Sequence, residues 1–107
     1  MPNNIIHYQD RTGTQPEKFY KTTLFQGDHM LVGLNCLEPG QVQPVHSHQD
    51  QDKFYFVLEG VGSFNVGEEV TEAGPGHVVW AGAGLPHGVE NNGTERLVIF
   101  MGIAPSP

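Results

Sequence analysis

The chain has 107 residues, enough for one domain with one hydrophobic core. Twelve acidic against five basic residues leave a formal charge of -7 with histidine neutral, and no Lys/Arg cluster is present, which argues against a nucleic-acid partner or an anionic membrane surface. Cys36 is the single cysteine, so no internal disulfide exists; Met1-Pro2-Asn3-Asn4 is polar with no apolar leader after it, and no run approaches the ~18 apolar residues of a membrane span, so the expected location is cytoplasmic.

Fourteen glycines and eight prolines punctuate short apolar runs, and no linker or composition shift divides the chain, so residues 1–107 read as a single domain. The ends, residues 1–4 and 104–107, read as frayed tails. Residues 19–25 are rich in aromatic and β-branched side chains and form the first strand, closing at Gly27. Residues 30–37 form an apolar strand that stops at Glu38-Pro39-Gly40, and residues 42–45 form another. Residues 54–58 carry the strongest strand signal, and residues 63–66 follow so closely that Gly60 to Gly62 are expected to turn a hairpin. A second tight turn falls at Val66-Gly67-Glu68-Glu69-Val70, returning through Thr71 and Glu72, and the chain breaks again at Ala73-Gly74-Pro75-Gly76. Residues 77–80, 87–90 and 96–101 supply the remaining strands, around a Gly-rich loop and an Asn91-Asn92-Gly93 turn. No window has a helical period of useful length, and short strands separated by turn signals define an all-β sandwich or barrel.

The chemistry is carried by histidine. His46 and His48 are one residue apart, and on a strand such residues point to the same face, so two imidazoles can converge on one metal ion. Five residues separate Gly40 from this pair, which is followed by a short acidic loop and the aromatic strand ending at Gly60. Further on, Gly76 leads through Gly82, Gly84 and Pro86 to His87 and then Asn91. These two stretches, in this order, resemble the first and second motifs of the cupin superfamily.

The resemblance implies a jelly-roll barrel, or double-stranded β-helix, with a divalent transition metal (Fe, Mn, Ni or Zn) held by His46, His48 and His87. It also makes Gly40, Gly60, Gly76 and Gly84 turn glycines. Two positions depart from the family pattern. Gly82 replaces the usual proline of the second motif, and Lys53 stands where the fourth ligand, commonly glutamate, is expected. An ammonium has no lone pair to offer a metal. Three arrangements follow: a three-histidine site completed by water or substrate, a site in which a strand bulge turns Asp52 inward as fourth ligand, or a metal-free barrel.

If the strand keeps its register, Lys53, Tyr55 and Val57 share the cavity face, which makes Lys53 and Tyr55 the candidate catalytic side chains. Lys53 would there bind an anionic substrate or act as acid or base; the alternative places it in a rim salt bridge with Asp50 or Asp52. Trp80, like Tyr55, is expected in the core or pocket wall, His77 at the surface and Cys36 as a buried thiol, while His7 and His29 have no partner pattern.

The implied function is that of an enzyme acting on a small chelating organic substrate, with dioxygenase-like or isomerase/cyclase-like chemistry. The alternative is a non-catalytic module that binds a small molecule or sugar without a functional metal. Phe54, Phe56 and Leu58 point away from the cavity, and covering them needs the N-terminal strand or a partner, so a homodimer is expected.

Overall fold

The computed structural model describes residues 4–107, and among them nine strands and one turn of 3-10 helix. The strands are β1 (Tyr20–Gln26), β2 (Leu31–Leu37), β3 (Val42–His46), β4 (Asp52–Glu59), β5 (Gly62–Val66), β6 (Glu69–Ala73), β7 (Val78–Ala81), β8 (His87–Glu90) and β9 (Leu97–Ala104). They form two antiparallel sheets, one in the order β1-β2-β9-β4-β7 and the other β3-β8-β5-β6. Of the expected frayed ends, residues 1–3 lie outside the described residues, whereas Ala104 is the last residue of β9 and pairs with Asp52.

The sequence pattern of each strand follows from what covers it. In β4, Lys53, Tyr55 and Val57 are buried and alternate with less buried neighbours, the period of a sheet with one face on the core. In β9 nearly every residue is buried, because this strand lies between β2 and β4 and is covered on both faces. Its inner face joins Leu37, Tyr55 and Val57 to Phe64 and Val89 of the second sheet, which places the main core between the sheets. On the outer face Leu34, Cys36 and Val98 form a smaller cluster under Tyr8, Tyr20, Leu58 and Phe100. Tyr8 comes from the N-terminal segment, where its hydroxyl donates to Glu59 Oε2 at 2.8 Å. The outward face expected to need cover is thus partly covered by the chain itself.

One expected turn is different in kind. Gly60 to Gly62 do not close a hairpin: β4 pairs with β7 and β9, whereas β5 pairs with β6 and β8. The glycines take the chain from one sheet to the other, with Gly60 at φ +79° and packed so closely on the start of β9 that a Cβ would lie 2.9 Å from Leu97 Cα. Sequence proximity of two strong strands suggests pairing, but each strand pairs within a different sheet. The second expected turn is a true hairpin, β5 to β6, with Val66 opposite Glu69. Trp80 is also placed differently from the expectation. It faces out from β7 with 59% of its surface exposed, since it pairs with Phe54 on the side away from the cavity. Among the described residues no helix is long and apolar enough to cross a membrane.

Candidate metal centre

The three motif histidines come together at the cavity between the sheets. His46 ends β3 and is the cross-strand partner of His87, the first residue of β8. The β3–β8 ladder is irregular between Gln43 and His46, where Pro44 has no amide hydrogen to give. Gly88 lets β3 press on β8 here: a Cβ would sit 2.8 Å from Gln43 O and 3.0 Å from Val45 N. His48 lies past the end of β3, so the same-face rule for strands does not place it. Its carbonyl instead accepts from Gly84 N at 2.8 Å, which ties the first motif's loop to the second's.

Ring centroids of His46 are 4.4 Å from His87 and 4.9 Å from His48, and those of His48 and His87 are 5.5 Å apart. One ring nitrogen from each lies within 4.8 Å of the others. Backbone carbonyls set the tautomers. His46 Nδ1 donates to Pro44 O at 2.8 Å and His87 Nδ1 donates to Leu85 O at 2.9 Å. A carbonyl only accepts, so each Nδ1 carries the proton and each Nε2 is left with its lone pair. Burial lowers the pKa of both His48 and His87, which favours the neutral, ligating form.

The donor set fits a transition metal ion. His87 is 1% exposed, and its Nε2 is a buried atom without a hydrogen-bond partner. Such an atom costs about 1–3 kcal/mol unless something binds it, and a cation held beside two further imidazoles would satisfy it.

Asp52 does not join this group. It is exposed, and its Oδ1 accepts from Ala83 N at 2.9 Å, so the carboxylate caps the Gly-rich loop instead of turning inward. β4 begins at Asp52 in regular register with Ala104, and the bulge needed to reverse its direction is absent from that end. The rim salt bridge considered for Lys53 is not formed either. Lys53 is 4% exposed, and among the described residues no carboxylate is paired with it. Its Nζ lies 4.8 Å from the Tyr55 ring centroid, and burial, with Lys21 nearby, lowers its pKa to about 8. Tyr55 is fully buried beneath it, its hydroxyl donating to Gln43 Oε1 at 2.6 Å, and burial raises its pKa. His77 is exposed, and Cys36 is buried in the outer cluster away from the cavity.

A cavity of about 470 Å³ opens on this group, lined by His46, His48 and Lys53 together with Asn35, Gln43 and Met101. Asn35 and Gln43 were not singled out in the sequence. The available signal was a polar residue set inside each of two strands, Asn35 in the apolar run of β2 and Gln43 three residues before His46.

Comparison with known proteins agrees with this architecture. A family model described as a cupin domain matches residues 33–103. A Thermus thermophilus protein of known crystal structure is 39% identical, with a TM-score of 0.95 over 98% of this chain and 100% of that one. An uncharacterized Streptomyces coelicolor protein is 39% identical over 59 residues, so the match spans 55% of this chain and only about half, 55%, of that relative. A Thermotoga maritima structure described as a predicted oxalate decarboxylase is 26% identical, covers 72% of this chain and 67% of its own, and has a TM-score of 0.69. Two facing antiparallel sheets with three histidines at the cavity define a small β-barrel able to bind a metal ion. The chain belongs to the cupin family.

Proposed function

We propose that this cupin is a metal-dependent enzyme acting on a small chelating organic molecule, with dioxygenase-like or isomerase/cyclase-like chemistry. The observation that carries the proposal is the buried, unpartnered Nε2 of His87 within reach of His46 and His48. A divalent iron, manganese, nickel or zinc ion held by these three side chains would supply Lewis acidity, and iron would add reactivity toward O₂.

The chain's own groups have distinct parts in this reading. Pro44 O and Leu85 O hold two of the imidazoles in the ligating tautomer. Leu31, Met101 and Ile103 give the cavity an apolar wall that limits water. Lys53, with its pKa near 8, exchanges a proton at Nζ under neutral conditions and is the general acid or base of the proposal. Tyr55 acts by position: its hydroxyl is committed to Gln43 and its ring supports the Lys53 ammonium. The Thermotoga maritima likeness supports small-molecule chemistry of this general kind. The proposal includes a homodimer as the working form.

A second reading is favoured by Lys53 itself, since a buried cation beside the histidines opposes a metal ion. In that reading the barrel is a binding module without metal. Elemental analysis separates the two. The enzyme reading expects about one transition metal ion per chain, lost in His46→Ala and His87→Ala. No metal after reconstitution with iron, manganese and zinc would leave the binding module.

A further inference from the structure

The cavity wall carries two donors that the histidine site does not use. Asn35 is 3% exposed, and its Nδ2 is a buried atom without a hydrogen-bond partner. Lys53, at 4% exposed, is a buried ammonium without a carboxylate among the described residues. Both line the same cavity as His46 and His48; among the described residues no acidic side chain lines it, and Pro107, the last residue of the sequence, stands at its wall as well. Lys21 stands opposite Asn35 in the β1–β2 register and adds a second positive charge to that wall. Between Asn35 and Leu31 on the inner face of β2 stands Gly33, where a Cβ would meet Thr22 O at 2.5 Å, so β1 packs directly on the backbone there.

A fold that buries a lone cation and a lone amide donor in one cavity is destabilised by both unless a ligand meets them. Cations and amide hydrogens call for oxygen acceptors, at least one of them anionic. The cavity volume of about 470 Å³ restricts that ligand to a small molecule. The one buried ammonium matches the charge of one carboxylate, Lys21 being exposed and screened by solvent, whereas a phosphate dianion is better served by several buried donors or an arginine fork.

We propose that Lys53 and Asn35 form a subsite for a small carboxylic acid that carries a second oxygen, Lys53 Nζ holding the carboxylate and Asn35 Nδ2 donating to the other oxygen. The subsite names the substrate class of the proposed enzyme and rests on that reading only in placing this ligand beside the histidines. Burial has lowered the lysine pKa to about 8, so the ammonium form still dominates at pH 7 and is available to an anion.

Titration of L-lactate into the metal-free protein, followed by the side-chain amide resonances of Asn35, tests the subsite apart from the metal. Zinc stoichiometry of the same preparation tests the metal centre separately. Lactate is expected to shift the Asn35 amide saturably, and the neutral analogue lactamide to bind about tenfold more weakly or worse. Lys53→Gln is expected to weaken lactate by about tenfold, and Asn35→Asp, equal in size but negative, by at least as much. Both variants should keep the wild-type zinc stoichiometry. The lactate–lactamide comparison needs only wild-type protein, so it decides the matter even where a variant fails to fold. Absence of a saturable shift, equal affinity for lactamide, or tighter binding of inorganic phosphate than of lactate would overturn the proposal. Lactate binding without zinc binding would remove the metal reading and leave the subsite standing.

Discussion

Lys53 shows at the scale of one residue what burying a charged group without an acidic partner does to stability. Its ordinary pKa is 10.5, and burial lowers it to about 8. Between those values the unfolded chain holds a proton that the folded chain releases, so stability from this group rises with pH across that window. Below pH 8 the destabilisation is present in full, and above 10.5 it is gone. Lys53→Met should therefore stabilise the metal-free protein by about 1–3 kcal/mol at pH 7, a gain that vanishes above pH 10.5 in urea denaturation series. The histidines titrate in a lower window. His48 and His87 have pKa values lowered from 6.5 by burial, so stability is present above 6.5 and is lost as pH falls below it, where the unfolded chain takes up protons first. His87→Leu should flatten the dependence of Tm on pH below 6.5 in metal-free protein. The motif histidines were legible as a set because family spacing points to them. The fates of Asp52 and Lys53 were not, because which neighbour captures a carboxylate or an ammonium depends on contacts distant in sequence, such as Asp52 with Ala83.

At the scale of elements, the site depends on how strands are placed rather than on where they occur. The passage from β4 to β5 at Gly60 decides which sheet carries which motif. Gly60→Ala would put a Cβ against Arg96 O and Leu97 Cα at positive φ, and should cost about 2 kcal/mol or more by chemical denaturation. The hydrogen bond from Tyr55 to Gln43 joins β4 of one sheet to β3 of the other directly beneath the histidines. Tyr55→Phe leaves Gln43 Oε1 buried without that donor and should cost about 1–3 kcal/mol. Strand positions were readable from apolar runs and turn residues, and the buried alternation of Lys53, Tyr55 and Val57 followed from the period of two. Pairing was not readable at Gly60 to Gly62, because a short Gly-rich connection suits a hairpin and a corner between sheets equally well.

At the scale of the whole molecule, the two cores divide the labour. The main core lies between the sheets and floors the cavity, while the outer cluster is sealed by Tyr8 from the N-terminal segment. With Leu58 and Phe100 engaged there, the proposed dimer would draw on other exposed apolar side chains, among them Val78 and Trp80 of β7, the end strand of its sheet, which are 65% and 59% exposed. Light scattering at micromolar concentration should report the proposed dimer, and Trp80→Glu should shift it to monomer. A wild-type monomer would remove the dimer from the proposal.

The amino-acid sequence by itself determined the all-β class, the approximate strand positions and the three histidines, since each follows from local periodicity, turn chemistry or motif spacing. The tertiary structure alone decided the rest: that Asp52 caps a loop, that Trp80 faces outward and that, among the described residues, Lys53 is buried without an acid and Asn35 brings an unpartnered amide to the cavity. Burial and pairing are properties of neighbours brought together from distant parts of the chain. A side chain's local sequence carries its chemistry but not the company in which that chemistry is used.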